Sequence, residues 1–167
     1  MTIREALQRS PDLIVLPPRH LFYHDRSHAL KKWLTKRVPV LEQYSIDEFF
    51  GDLKGWVADR DVPAFVDSLR REIETTFGLP VSIGAAPSKW IAKMATSAAK
   101  PNGCKVLFDK DVNAFVDPKP IDAFPGIGRG FSKRLKSCKI ETLGDLKAAK
   151  HLLYRWKKPG IRLYHRV

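Results

Sequence analysis

Tyr44-Ser-Ile-Asp-Glu-Phe-Phe-Gly-Asp-Leu53 sets two adjacent carboxylates, Asp47 and Glu48, in an otherwise apolar stretch. Val38 to Ser45 and Glu48 to Leu53 read as two strands meeting at Asp47, which puts the pair at or beside a β-turn where both side chains can face one site. Ionised groups are costly to place against apolar surface unless a partner holds them. Neighbouring carboxylates repel each other, so a divalent cation suits them better than a single Lys or Arg, and oxygen-only ligation suits Mg²⁺ or Mn²⁺. Bare Asp-Glu pairs are common on solvated turns, but the flanking Tyr44, Ile46, Phe49 and Phe50 argue against such a turn here. Asp52 reads as a turn or sheet-edge acceptor.

Outward from this turn, the pattern alternates helices and short strands. Thr2 and Glu5 form a capping-box pattern for a helix over 3–10, closed near Pro11. Leu13-Ile-Val-Leu16 reads as a short strand stopped by Pro17-Pro18, and Arg19 to Arg37 as a helix with Leu21, Leu30 and Leu34 on its apolar positions. Asp61 is placed to cap a helix ending at Gly78, with Phe65, Leu69, Ile73 and Phe77 on one face. Val81 to Ala85 predicts a buried strand, Ser88 the cap of a helix over Lys89–Lys100, Pro101-Asn-Gly103 a turn, and Lys105–Phe108 a last strand. Past Asp117 the texture changes to short helices, with Pro118 and Pro120 marking the boundary. The fold class expected is α+β over residues 1–117, followed by a small all-helical unit over 118–167.

Charge follows the same division. The chain has 167 residues, 44% hydrophobic and 29% charged, with a formal net charge of +12. That composition builds a core and excludes a disordered tail. Residues 119–167 carry 13 basic and 3 acidic side chains, whereas residues 1–118 carry 17 and 15. A basic segment on a near-neutral body is the footprint of polyanion binding. Cys104 and Cys138 have no metal-ligand spacing and predict reduced thiols. No apolar run approaches the roughly 20 residues of a membrane span, and the first ten residues lack a signal-peptide core. The expectation is a cytoplasmic protein with no membrane partner.

Two further motifs carry chemistry. In Ser82-Ile-Gly-Ala-Ala-Pro-Ser-Lys-Trp-Ile-Ala-Lys-Met-Ala-Thr-Ser-Ala-Ala-Lys-Pro-Asn-Gly103, spacings of 4 and 7 keep Lys89, Lys93 and Lys100 near one helical stripe, where cations can meet a triphosphate. A solvated lysine face is the plainer alternative. Gly84, Ala85 and Ala86 allow close backbone packing. Phe124-Pro-Gly-Ile-Gly-Arg-Gly-Phe-Ser-Lys-Arg-Leu-Lys-Ser-Cys-Lys-Ile-Glu-Thr-Leu-Gly-Asp-Leu146 is a helix-hairpin-helix pattern. Gly126 and Gly128 permit its turn, and backbone at Gly126, Ile127, Gly128 and Arg129 can hold a DNA phosphate. Arg129, Lys133, Arg134 and Lys136 add charge there without reading sequence. His20, His24 and His28 align on one helical face but lack a completing ligand and read as polar surface. Trp33, Trp56, Trp90 and Trp156 read as core or domain-edge residues.

In this order the three motifs resemble the Y-family, or translesion, DNA polymerases. Ser45 to Asp52 matches that family's palm carboxylate motif, 89–103 its palm helix and 124–146 its thumb hairpin. The resemblance implies a partial ferredoxin-like palm over 1–117 and a helix-hairpin-helix thumb over 118–167. It implies Asp47 and Glu48 as catalytic metal ligands for Mg²⁺ or Mn²⁺, and Lys100, with Lys93 nearby, as contacts of an incoming deoxynucleoside triphosphate. Primer-template DNA is the implied partner. Tyr44-Ser-Ile-Asp-Glu and the tail Gly160-Ile-Arg-Leu-Tyr-His-Arg-Val look more like the UmuC-type branch than the DinB type.

Family members carry a further metal-binding Asp on a preceding strand, fingers residues and a C-terminal DNA-binding domain, none of which is found here. A palm lacking that strand is expected to fold poorly alone or to self-associate, and to have little polymerase activity. No sliding-clamp peptide is recognisable, so a clamp would attach through other regions. Two other readings compete: a non-catalytic DNA-binding or polymerase-partner module that uses only the thumb, and a cyclase-like palm, against which the basic hairpin weighs.

Overall fold

The computed structural model describes residues 1–164 and divides into two compact units, Met1–Asp52 and Leu53–Val167. The change of texture at Pro118 and Pro120 lies inside the second unit. His165, Arg166 and Val167 of the tail quoted for the UmuC-type branch lie outside the described residues.

In the first unit, helix α1 (Ile3–Arg9) starts with the expected capping box. The Glu5 N–H donates to Thr2 Oγ1 at 3.2 Å and the Thr2 N–H to Glu5 Oε2 at 2.7 Å. Residues 13–16 form no strand, and Ile14 and Leu16 are 82% and 78% exposed. A β-prone run becomes a strand only when another strand pairs its backbone, and none among the described residues does. Helix α2 (His20–Leu34) buries Ser27, Leu30 and Leu34, while Leu21, expected on its apolar face, is exposed. Strands β1 (Val40–Gln43) and β2 (Phe49–Asp52) form an antiparallel hairpin in which Val40 faces Asp52 and Gln43 faces Phe49. The Gln43 side-chain amide donates to Ser27 Oγ at 3.0 Å and ties the hairpin to α2. Gly51 is required for packing: a Cβ there would lie 2.6 Å from Cγ1 of the buried Val38.

The second unit opens with a 3₁₀ turn at Asp59–Asp61, then α3 (Val62–Phe77). Asp61 occupies the N-cap position expected of it, but its side chain makes no capping hydrogen bond and pairs with Arg60 at 3.6 Å. Gly78 ends the helix in the left-handed conformation, φ 64°, as its position predicts. The buried face is Val66, Leu69 and Ile73, with Phe65 and Phe77 half-buried beside it. Strands β3 (Ile83–Ala85) and β4 (Cys104–Val106) pair in parallel, Ile83 opposite Cys104. β3 is half-buried rather than buried.

Between the two strands runs α4 (Lys89–Ala99), capped by Ser88 Oγ accepting from the Ile91 N–H. Gly84 allows the close approach expected of it, since a Cβ there would collide with backbone of Ala92 and Thr96. Helices α3 and α4 both pack on this small parallel sheet, as parallel pairs require. Over the described residues the fold is therefore a mixture of helices with two small two-stranded sheets, one antiparallel and one parallel.

Helices α5 (Asp109–Val116), α6 (Arg129–Ser137), α7 (Leu143–Ala148) and α8 (Lys157–Tyr164) complete the unit. One core joins Met94 of α4 and Val116 of α5 to Ile121, Phe124, Ile127, Leu135, Ile140, Leu143, Leu146, Leu153 and Leu163. The connecting segment is stitched to residues 141–144. Ile121 N–H donates to the Glu141 carbonyl, Leu143 N–H to Lys119 and Gly144 N–H to Asp117, at 2.9 to 3.0 Å.

Candidate functional sites

The carboxylates occupy the β1–β2 turn. Tyr44 and Ser45 N–H both donate to the Glu48 carbonyl, at 2.9 and 3.3 Å, closing the loop. Ser45 Oγ donates to Asp47 Oδ1 at 2.7 Å and so orients that carboxylate. Asp47 is exposed and Glu48 half-buried. The apolar flanks do not bury the turn: Tyr44 is 52% and Ile46 40% exposed, and Tyr44 packs edge-on against Phe50 with ring centroids 5.8 Å apart. Burial therefore gives no argument for a metal here, which corrects the inference from flanking residues. The donor chemistry still fits one. Mg²⁺ is held by one or two carboxylates while keeping waters or phosphate oxygens on its other positions, and Asp47 and Glu48 offer that set. Among the described residues no group of three or more His, Cys, Asp or Glu side chains gathers, so His20, His24 and His28 form no metal site.

The lysine motif is not one continuous stripe. Lys89 and Lys93 stand one turn apart on α4, but the helix ends at Ala99 and Lys100 is extended, at φ −70° and ψ 145°. Pro101 is the cause, because the residue before proline is pushed out of the helical region. The exposed Lys100 ammonium makes no hydrogen bond or ion pair among the described residues.

Its turn is anchored from α3. Arg70 donates to Asn102 Oδ1 at 3.1 Å and pairs with Asp67 at 3.3 Å and Glu74 at 3.1 Å, while Asn102 Nδ2 donates to Glu74 Oε1 at 3.0 Å. Arg70 escaped the sequence reading. Its signal was an arginine with acidic residues three before and four after it on one helix.

At the hairpin, Gly126 adopts φ 102°, a conformation that side chains disfavour. The Ile127 side chain is buried in the core, and its N–H is committed to the Phe124 carbonyl at 3.1 Å. The N–H groups of Gly128, Arg129 and Gly130 have no acceptor among the described residues and form the open N-terminus of α6. A groove of about 510 Å³ beside it is lined by Asp122, Ile127, Gly128, Arg129, Ser132, Lys133 and Lys136. Arg129, Ser132, Lys133 and Lys136 follow the i, i+3, i+4, i+7 spacing of one helical face. Arg134 is off that face, with its guanidinium 5.5 Å from the Trp156 ring. Of the other tryptophans, Trp56 is exposed rather than core, and Arg37 stacks over Trp33 at 3.5 Å.

Comparison with known proteins places this geometry. The model of the impB/mucB/samB family matches residues 1–97. DNA polymerase IV of Clostridium kluyveri is 34% identical over 148 residues, 87% of this chain and 37% of the relative. DNA polymerase IV of Alkaliphilus oremlandii is 35% identical over 99% of this chain and 42% of its own. Among solved structures, a DinB family error-prone DNA polymerase from Sulfolobus solfataricus aligns with TM-score 0.89 and 29% identity, over 98% of this chain and 50% of that one. An insertion ternary complex of Dbh DNA polymerase gives the same TM-score and identity over 98% and 48%. The chain thus spans about two fifths of these curated relatives and half of these structures. The impB/mucB/samB family match supports the UmuC-type expectation, while these relatives and structures carry the names DNA polymerase IV and DinB. With one family model covering more than half of its residues, the chain belongs to the impB/mucB/samB family, within the Y-family of translesion polymerases that its motifs resemble.

Proposed function

We propose that this chain supplies the palm, over residues 1–117, and the helix-hairpin-helix thumb, over 118–167, of a DNA polymerase of translesion synthesis. The protein binds primer-template DNA and a deoxynucleoside triphosphate, and acts in the cytoplasm. The observation that carries this reading is the β1–β2 turn, which carries the consecutive residues Asp47 and Glu48, in a chain that aligns over 98% of its length with polymerase structures. No helix among the described residues is long and apolar enough to cross a membrane.

Asp47 and Glu48 hold Mg²⁺, or Mn²⁺ in its place. Bound there, the ion supplies charge neutralisation at the triphosphate and favours ionisation of the attacking hydroxyl. The chain's own contribution is positional. Ser45 fixes the rotamer of Asp47 through its 2.7 Å hydrogen bond. Lys100, extended beyond the end of α4, pairs with triphosphate oxygens, and Lys93 adds positive charge on the same helix. The open N-terminus of α6, with Arg129 and Lys133, holds the DNA backbone at phosphates, so grip is independent of sequence, as copying of arbitrary template requires.

Single-nucleotide primer extension with Mg²⁺ and with Mn²⁺, beside Asp47→Ala, tests the assignment. The expected result is that metal-dependent triphosphate binding is lost in the variant with DNA binding unchanged, and that whatever extension the chain supports falls at least a hundredfold, at the scale of losing a principal electrostatic group. Extension indifferent to Asp47→Ala would overturn the catalytic role. Absent extension, with metal-dependent triphosphate binding also indifferent to the substitution, would favour the non-catalytic DNA-binding module.

A further inference from the structure

Ser132 is the polar side chain that the hairpin reading leaves unused. It lies on α6 one turn inside the helix start and is 7% exposed. Its N–H is spent on the Gly128 carbonyl at 2.9 Å. Its hydroxyl has no hydrogen-bond partner among the described residues.

A buried hydroxyl without a partner is costly, and buried polar side chains are almost always satisfied. Yet no side-chain nitrogen or oxygen among the described residues is both sealed from solvent and unpartnered. The Ser132 hydroxyl must therefore keep an opening, and the groove it lines with Gly128, Arg129, Lys133 and Lys136 provides one. The same groove is lined by Gly128 and Arg129 at the start of α6, where the helix dipole favours negative charge. Its one acidic wall, Asp122, is drawn toward Lys136 at 3.9 Å.

We propose that Ser132 is a neutral phosphate-binding residue of the hairpin. Its hydroxyl donates to a non-bridging oxygen of a DNA backbone phosphodiester seated against the N-terminus of α6. The inference rests on the hairpin being the DNA interface and adds a donor that charge alone does not reveal. A hydroxyl in the groove that begins at the helix start fixes where the phosphate sits. The lysines attract it from a distance and release counterions.

The test is the affinity of the chain for a fluorescent primer-template duplex across a series of salt concentrations, for wild type, Ser132→Ala and Lys133→Ala. Alanine is smaller and a better helix former, so the fold is retained, and a thermal melt verifies it. Ser132→Ala should weaken binding about five- to twentyfold at every salt concentration and leave the slope of log affinity against log salt unchanged. Lys133→Ala should reduce that slope by about 1. A Lys133 effect with wild-type affinity in Ser132→Ala overturns the Ser132 role and leaves the hairpin reading standing. No effect of either substitution overturns both. The duplex is used with and without a 5′-terminal phosphate. A Ser132→Ala effect confined to the phosphorylated duplex would make the ligand a terminal phosphate and overturn the assignment to the backbone.

Discussion

Single residues decide whether the turn before α6 forms at all. Gly126 stands at φ 102°, between a buried Phe124 and a buried Ile127 that lock the chain on either side. An alanine there must hold an unfavourable backbone conformation or pull the two anchors out of register. Gly126→Ala should therefore cost about 1–3 kcal/mol, read as a lower urea midpoint with an unchanged slope. Its DNA affinity should fall further than that of Gly128→Ala, because residue 128 has ordinary φ and open space around it. The turn was readable in the sequence because Phe124-Pro-Gly-Ile-Gly pairs its glycines with apolar anchors. Ser132 was not, since only the completed fold shows a hydroxyl that is buried and unspent. Asp47 and Glu48 were readable as a pair at a turn, but their exposure was not, because the strand patterns on either side do not specify what covers the loop.

At the scale of elements, helix ends governed by local chemistry follow the sequence and those governed by distant partners do not. Thr2, Ser88 and Thr142 cap the helices that follow them, each through an interaction spanning three residues. Asp61 makes no capping hydrogen bond because the turn before it is already wound, and residues 13–16 fail as a strand for want of a pairing edge. The capping box of α7 carries a pH dependence. Asp145 accepts from the Thr142 N–H at 2.9 Å and the Glu141 N–H at 3.1 Å, while the Thr142 hydroxyl accepts from the Asp145 N–H at 3.1 Å. The backbone hydrogen bond from Thr142, then the Thr142 side chain and the Glu141 N–H, hold its carboxyl below the ordinary range. A depressed pKa in the folded state adds stability above the unfolded value, about 3.9, and that stability is lost as pH falls through the folded value. Urea unfolding from pH 7 downward should thus show a loss below about pH 4. Asp145→Asn should lower stability at pH 7 and flatten that part of the acid slope; the same acid slope in both proteins would exclude the cap as its source.

Across the whole chain, stability should be distributed as unevenly as the buried side chains. In the first unit, α1 buries nothing, and burial in α2 is limited to Ser27, Leu30 and Leu34, so little apolar surface opposes opening of the first twenty residues. In the second, the core runs without a break from Met94 through Val116 to Leu135 and Leu163, and the segment between Asp117 and Ile121 is hydrogen-bonded to the turn before α7. Lys147 reinforces that junction by reaching back to Asn113 and Asp117 on α5 and at its end. A segment fastened on both sides cannot act as a hinge, so α4 through α7 should open together. Met94→Ala removes a buried side chain from α4 and should cost about 2–5 kcal/mol. The informative quantity is where that cost appears. In native-state hydrogen exchange it should lower protection in α6 and α7 as much as in α4, while amides of α1 exchange rapidly in both proteins. Protection lost in α4 with α6 and α7 unaffected would mean that α6 and α7 fold independently of the sheet beside α4. The core from Met94 to Leu163 would then be a contact between two cooperative bodies rather than the interior of one.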